Sequence, residues 1–232
     1  MNKLLWAIPS IITSMSIMSG FLAIIATSEG ELKKAAWFII LSIFMDMLDG
    51  RVARLTKKVS LFGEQYDSLA DLISFGVAPA FLTYTILINN SLKTHVAFST
   101  AIIIILSGAF RLARFNINKK NEENFQGMPI PAGAGIIASY TLFAHKYLHS
   151  FSTSLIVFLA IAIAMLMSSN LPYPSGKKKK RGRATRKLLI MCIIAIAMIT
   201  YPVELFAFVG LFYLFYGPMA FLFKFATKTE RR

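Results

Sequence analysis

The four aspartates of this chain are concentrated in one short stretch, and their spacing could build a metal site. They are the only aspartates in the sequence, and they are Asp46, Asp49, Asp67 and Asp71. The first two are three residues apart and the last two are four residues apart, so each pair shares one face of a helix. If two such helices pack as antiparallel neighbours, the four carboxylates converge on one small volume. Oxygen ligands without histidine or cysteine favour Mg²⁺ or Mn²⁺ over Zn²⁺, and two such ions could clamp a phosphoryl group.

Two other roles for these aspartates stay open on the residues alone. They could cap helices or form ion pairs at a membrane surface with the four basic residues that follow, which are Arg51, Arg54, Lys57 and Lys58. Intramembrane carboxylates also mark ion pathways in transporters and channels. A transporter is expected to spread acidic residues over several helices near the membrane midplane, whereas these four crowd one pair of helices. The grouping therefore favours the metal site.

The elements that must position the aspartates are membrane-spanning helices. Of the 232 residues, 56% are hydrophobic, and several apolar runs reach the roughly 20 residues that are needed to cross a bilayer. We predict an all-α polytopic membrane bundle with about eight helices. The predicted helices cover residues 9–28, 34–56, 66–88, 95–115, 129–147, 151–169, 187–201 and 203–223. The aspartates then lie late in the second helix and early in the third, near one membrane surface.

A segment rich in helix breakers predicts the division of the chain. Residues 169–176 contain Pro172, Pro174 and Gly176, and a basic run from Lys177 to Lys187 follows. We predict a six-helix membrane core over residues 1–175, with residues 176–232 forming a basic cytoplasmic loop and a C-terminal helix pair. The basic run could bind anionic lipid headgroups or only fix the topology, and both interpretations stay open.

The basic residues predict the orientation of the bundle. The net charge of +14 would also suit a nucleic-acid-binding protein, but the charges fall at helix ends on one side, as the positive-inside rule requires. With eight helices and a cytoplasmic N-terminus, only four of the 25 Lys and Arg residues lie outside: Lys33, Lys34, Lys93 and Lys146. We therefore predict no nucleic-acid partner, and we expect both termini and the aspartates to face the cytoplasm.

The aspartates belong to a longer pattern that resembles the signature of the CDP-alcohol phosphotransferase family. That signature reads Asp-x₂-Asp-Gly-x₂-Ala-Arg-x₈-Gly-x₃-Asp-x₃-Asp. It occurs here with every spacing intact, at Asp46, Asp49, Gly50, Ala53, Arg54, Gly63, Asp67 and Asp71. The resemblance implies a divalent-metal enzyme that binds a CDP-linked donor and has a six-helix core, usually in a dimer. It also implies that the first three aspartates ligate metal and that Asp71 is the general base, close to a metal as well.

Flanking residues resemble the phosphatidylserine synthase branch of this family in bacteria and archaea. They are the segments 72–80, 111–116 and 127–133. Phosphatidylglycerophosphate synthases usually carry Asp-Pro-x-Ala-Asp-Lys around the last two aspartates, whereas this chain reads Asp-Ser-Leu-Ala-Asp-Leu from Asp67 to Leu72. The resemblance implies CDP-diacylglycerol as donor, L-serine as acceptor, and a homodimer among the lipids of a prokaryotic cytoplasmic membrane. A sister activity with glycerol 3-phosphate or inositol phosphate as acceptor is the alternative.

Two further groups of residues are predicted to bind the substrates. Contacts with the CDP-linked lipid are expected at Thr13, Gly50, Ala53, Arg54, Gly63 and Ser68. Arg54 could hold a phosphate as a fixed cation. The serine carboxylate needs a cation, and Arg111 and Arg114 share a helix face at the predicted cytoplasmic end of the fourth helix. Asn116 is the third candidate for acceptor binding, and ordinary anchoring at the membrane surface is the alternative role of the two arginines.

Overall fold

The fold is a bundle of helices in a computed structural model that describes residues 4–55, 60–118, 125–173, 197–198 and 200–229. The helices are α1 (Leu4–Ser28), α2 (Leu32–Leu55), α3 (Leu61–Asp71), α4 (Ala78–Asn89), α5 (Thr94–Asn118), α6 (Ile130–Phe143), α7 (Thr153–Ser168) and α8 (Pro202–Thr229). A π-helical segment, Leu72–Val77, joins α3 to α4, and a second one, Ala144–Leu148, extends α6. The predicted all-α polytopic membrane bundle is confirmed.

Helix length and composition support a membrane location. Four helical segments among the described residues are long and apolar enough to cross a bilayer: Ser10–Ser28, Leu61–Asn89, Thr94–Ile117 and Pro202–Ala220. The apolar helix Thr153–Ser168 is shorter. Helix α2 is long enough, but it carries Lys33, Lys34 and the first two aspartates among its apolar residues. The predicted helix at 187–201 lies almost entirely outside the described residues, so the count of eight stays a prediction.

Helix α3 begins earlier than predicted. The prediction placed the third helix at 66–88, whereas the continuous helical stretch runs from Leu61 to Asn89. Ser60 caps its start, because the side-chain oxygen of Ser60 accepts a hydrogen bond from the backbone N–H of Gly63 at 3.0 Å. The extra turn places Gly63 inside the helix that carries Asp67 and Asp71.

The segments that connect the helices lie at two opposite ends of the bundle. At one end, the backbone N–H of Met128 donates to the carbonyl of Leu166 at 3.0 Å. There the two-residue strands β1 (Phe125–Gln126) and β2 (Pro172–Tyr173) pair antiparallel. At the other end, the side chain of Asn90 donates to the carbonyl of Phe151 at 2.8 Å. The aspartates lie at the end that holds β1 and β2, because α2 finishes there and α3 starts there.

Helix α8 is packed onto the core near its start and again in its second half. Near its start, Glu204 accepts hydrogen bonds from Lys146, at 2.6 Å, and from Tyr147. Thirteen residues after Glu204, the buried ring of Tyr173 lies directly against Gly217, where a Cβ atom would come within 2.5 Å of the ring. Glycine is therefore required at 217 for this close approach. The division into a core and an appendage stays a prediction.

Candidate metal and substrate site

Three of the four aspartates bring their carboxylates together. One oxygen from each of Asp46, Asp49 and Asp67 lies within 4.8 Å of the other two. The first two residues come from the last turns of α2, and the third comes from α3. The convergence that the spacing predicts is therefore present for these three side chains, which we call the carboxylate triad.

Asp71 lies beside the carboxylate triad and not within it. It is the last residue of α3, directly before the π-helical segment. Its carboxyl group is close enough to that of Asp46 for a side-chain hydrogen bond, and it is in electrostatic contact with Asp67 as well. Two ionised carboxylates at such a distance repel each other, so a proton or a cation is needed between them. Asp71 thus sits next to the place where charge must be compensated.

Thr13 orients one member of the triad. Its hydroxyl group donates a hydrogen bond to Oδ2 of Asp49 at 2.8 Å, and both residues are buried, with 5% and 6% of their surface exposed. The backbone N–H of Gly50 also donates to the Asp49 carboxylate. A ligand carboxylate that is held in this way is fixed for metal binding. The predicted contact of Thr13 with the CDP-linked lipid stays a prediction.

The donor set of the triad fits a hard divalent cation. It offers carboxylate oxygens from three residues and neither nitrogen nor sulfur. Mg²⁺ and Mn²⁺ prefer such ligands, and the mutual repulsion of three clustered carboxylates at membrane depth gives a strong electrostatic reason to bind one. Asp46, Asp49 and Asp67 are the residues that would hold the metal.

Arg111 is the cation that the fold buries next to Asp71. Only 5% of its surface is exposed, and it makes an electrostatic contact with the Asp71 carboxyl group. Its guanidinium also lies over the ring of Phe115, 6.0 Å from the ring centre. Burying a charged group is costly unless it is paired, so this cation belongs to the aspartate site.

Arg114 and Asn116 bind other parts of the protein. The Arg114 guanidinium donates to the carbonyl oxygens of Ser168, at 3.1 Å, and Ser169, at 2.9 Å, at the end of α7. The side-chain amide of Asn116 donates to the hydroxyl of Ser68 at 3.0 Å. These contacts fasten the end of α5 to its neighbours. The roles of Arg114 and Asn116 in acceptor binding, and of Ser68 in lipid binding, stay predictions.

Four other residues were predicted to contact the CDP-linked lipid, and the structure describes the surroundings of only some of them. Gly63 serves the cap of α3, as described above. Gly50 follows the triad residue Asp49 in α2. Ala53 and Arg54 lie in the last turn of the same helix, and their side chains fall outside the described residues. Their predicted roles are therefore not tested.

Two groups of residues near the site were not singled out by the sequence. The hydroxyl of Tyr66 lies 2.8 Å from that of Ser14, which joins α3 to α1 directly beside Asp67. One turn below the aspartates, buried serines join three backbones, as described further on. The available signal was the presence of small hydroxyl residues in apolar helices, which is typical of helix contacts in membranes.

The chain resembles known proteins over most of its length. The chain matches the CDP-alcohol phosphatidyltransferase family over residues 6–168. It is 38% identical over 225 residues to the CDP-diacylglycerol–serine O-phosphatidyltransferase of Helicobacter pylori strain J99, covering 94% of this chain and 92% of that protein. The enzyme of the same name from Methanocaldococcus jannaschii is 40% identical over 168 residues, with coverage of 72% and 74%.

An archaeal relative carries a related name. The archaetidylserine synthase of Methanothermobacter thermautotrophicus is 35% identical over 171 residues, covering 72% of this chain and 70% of that protein. The matched family region, residues 6–168, contains the carboxylate triad, Asp71 and Arg111. This chain belongs to the CDP-alcohol phosphatidyltransferase family.

Proposed function

We propose that this protein transfers a phosphatidyl group from CDP-diacylglycerol to L-serine, producing phosphatidylserine and CMP. The observation that carries the proposal is the carboxylate triad with Asp71 beside it, held on two adjoining helices. The serine acceptor is supported by the names of the relatives, which are phosphatidylserine and archaetidylserine synthases. The location of all four aspartates at one end of the bundle is unlike the midplane pathway of an ion-coupled transporter.

Asp46, Asp49 and Asp67 would hold Mg²⁺ or Mn²⁺, and a second ion could also engage Asp71. A bound divalent cation would supply positive charge to the pyrophosphate of the donor and to the departing CMP. Thr13 keeps one oxygen of Asp49 in a fixed direction. Arg54, in the last turn of α2, is the proposed cation for a donor phosphate. Gly50, Ala53, Gly63 and Ser68 remain proposed contacts of the same lipid.

Asp71 is the proposed general base. It accepts the proton of the serine hydroxyl, and the serine oxygen forms a bond to the phosphorus that is linked to diacylglycerol. The bond from that phosphorus to the oxygen of CMP breaks, and the electron pair leaves with CMP. Asp71 is suited to this task because it interacts electrostatically with both Arg111 and the triad. Positioning and electrostatic stabilisation supply most of the rate in such transfers.

Arg111 is the proposed partner of the serine carboxylate. It lies at the correct end of α5 and beside the base, so a serine bound there would have its hydroxyl group near Asp71. Arg114 and Asn116 would support this arrangement by fastening the end of α5. We also propose that the site and both termini face the cytoplasm of a prokaryote, because the distribution of the basic residues predicts this orientation. A homodimer in the membrane is proposed from the family resemblance.

The direct test is an acceptor comparison with the purified protein in lipid nanodiscs that contain CDP-diacylglycerol. Serine, glycerol 3-phosphate and inositol phosphate are offered in parallel, and the released CMP and the lipid product are measured. We expect CMP release with serine, loss of release in a chelator, and recovery with Mg²⁺ or Mn²⁺. Release with glycerol 3-phosphate but not serine would assign the protein to a sister activity. Full activity in chelated buffer would contradict the metal role.

A further inference from the structure

Three buried serines join three backbones directly below the aspartates. Ser16 lies on α1, Ser42 on α2 and Ser74 on the π-helical segment, and none of them is more than 2% exposed. The hydroxyl oxygens of Ser16 and Ser42 are 2.8 Å apart, and Ser42 also lies 3.0 Å from the carbonyl oxygen of Ser16. The hydroxyl of Ser74 donates to that same carbonyl at 3.0 Å. We call these three residues the serine network.

The serine network lies about one helical turn deeper in the bundle than the polar side chains of the site. Ser16 follows Thr13 by three residues on α1, and Ser42 precedes Asp46 by four residues on α2. Residues three or four apart lie on the same face of an α-helix, so each of these two pairs shares a face. Ser74 follows Asp71 by three residues, within the π-helical segment, where that rule does not apply, but both residues lie on one continuous helical backbone. Each backbone that meets in the serine network therefore also carries one of the polar side chains of the site above it.

We propose that Ser16, Ser42 and Ser74 are positioning residues that set the distances between Thr13, Asp46 and Asp71. The proposal rests on the metal-dependent transfer proposed above. If the serine network were lost, the three backbones could slide relative to one another, and the triad and the base would move apart. A displacement of about 1 Å in an active site can reduce the rate by about 100-fold, so a small shift would suffice.

Gly20 gives independent support for a fixed distance between α1 and the π-helical segment. A Cβ atom at position 20 would lie 2.6 Å from Oγ of Ser74 and 2.7 Å from its Cα. The second of these contacts is with backbone, which cannot rotate away. The two backbones are therefore as close as glycine allows, and they leave no room for a side chain between them.

The direction of these hydrogen bonds distinguishes the serine network from ordinary hydroxyl groups in helices. A buried hydroxyl in a helix commonly bonds to a carbonyl of its own preceding turn. Thr27, also on α1 and 1% exposed, does so with the carbonyl of Ala23 at 2.7 Å. Local satisfaction would have been enough for the three serines as well. Their bonds run between helices instead, so they fix the relative positions of the helices.

The test measures Mn²⁺ binding in the absence of substrates, by electron paramagnetic resonance on the full-length protein in nanodiscs. The variants are Ser42→Ala and Ser74→Ala, with Thr27→Val as the matched control and Asp49→Asn as the reference for a lost ligand. We expect each serine variant to weaken Mn²⁺ binding by about tenfold, the lower end for residues that support a metal ligand. Thr27→Val should bind Mn²⁺ like the unmodified protein, and Gly20→Ala should weaken binding further.

Thermal unfolding of each variant separates positioning from simple stabilisation. Serine variants that bind Mn²⁺ normally, whether or not they unfold at lower temperature, would overturn the proposal. Normal Mn²⁺ binding in Gly20→Ala, measured on folded protein, would overturn it as well. If Asp49→Asn also binds Mn²⁺ normally, the fault lies in the proposed metal site itself, and the proposal fails with it.

Discussion

At the scale of single residues, the site depends on groups that reach the aspartates from other helices. The Thr13 hydroxyl comes from α1 and donates to Oδ2 of Asp49 at 2.8 Å, in a place where both side chains are buried. Residues that hold a ligand in this way are nearly as important for metal affinity as the ligand itself.

We predict that Thr13→Val raises the Mn²⁺ concentration for half-maximal activity by about 10–100-fold. Valine keeps the shape of threonine but cannot donate to Asp49. The measurement is a Mn²⁺ titration of CMP release. Thr100→Val is the control, because Thr100 is also buried and bonds only to the carbonyl of Val96 in its own helix among the contacts described. An unchanged titration in Thr13→Val would contradict the role.

A second prediction concerns the buried cation. We expect Arg111→Lys to lower kcat/KM for serine by about 10–100-fold, which corresponds to about 1.4–2.7 kcal/mol of transition-state stabilisation. Lysine keeps the charge but loses the planar, forked donor that fits a carboxylate. Steady-state kinetics with varied serine would show most of the loss as a raised KM. Arg51→Lys, on the exposed surface of α2, should behave like the unmodified protein, and an unchanged KM for serine in Arg111→Lys would remove Arg111 from acceptor binding.

The residues of the site differ in how far the sequence could predict them. The triad could be predicted, because spacing along two neighbouring helices fixes which carboxylates share a face. The contacts of Thr13 with Asp49 and of Arg111 with Asp71 join residues that are 36 and 40 positions apart. They depend on how α1 and α5 pack against the aspartate helices, and helical periodicity carries no information about that.

At the scale of elements, the helices that carry the site are fastened at their ends. Arg114 connects α5 to the last carbonyls of α7, and Asn116 connects α5 to α3. The carbonyl groups at the end of a helix have no partners within that helix. A cation at this position is also favoured by the helix dipole. These contacts give Arg114 a structural role at the end of α7, and its role in acceptor binding stays a prediction.

We predict that Arg114→Met destabilises the protein by about 1.5–3 kcal/mol, the usual range for hydrogen bonds that involve a charged group. Methionine keeps most of the apolar length of the side chain but donates no hydrogen bond. The measurement is denaturant-induced unfolding in detergent, with Arg51→Met on the surface of α2 as the control. Equal stability of the two variants would show that the contact between α5 and α7 contributes little.

Two features of the helices could not be predicted from the periodicity of apolar residues: the start of α3 and the π-helical segment. The predicted start at residue 66 missed the first turn of α3, since that turn depends on the cap at Ser60 and not on an apolar face. The π-helical segment Leu72–Val77 was not predicted either. Its residues are apolar apart from Ser74, so a change of helical period leaves no mark in their pattern. The start of α3 depends on a single hydrogen bond of Ser60, which an apolar pattern does not record.

At the scale of the whole molecule, helix α8 contacts the rest of the bundle at two levels along its length. Glu204, near its start, binds Lys146, and Gly217 lies against Tyr173. From Pro202 to Gly217 the helix rises about 22 Å, at about 1.5 Å for each residue. Tyr173 and Pro202 therefore lie at levels that differ by most of the thickness of a bilayer. Lys146 and the aspartates therefore lie towards opposite ends of the bundle, and which of the two ends faces the cytoplasm stays a prediction from the basic residues.

This arrangement predicts that Ser168 and Tyr201 are on opposite sides of the membrane. Single cysteines would be introduced at these two positions in a Cys192→Ser background, and intact cells would be treated with a maleimide that does not cross membranes. We expect Tyr201→Cys to be labelled at once and Ser168→Cys only after the cells are permeabilised. Ser150→Cys and Gln65→Cys, both at exposed positions, are the outer and inner controls.

Labelling of positions 168 and 201 from the same side would contradict the predicted crossing between them and, with it, the count of eight membrane helices. Labelling of Gln65→Cys in intact cells would instead reverse the orientation and place the aspartates on the side away from cytosolic serine.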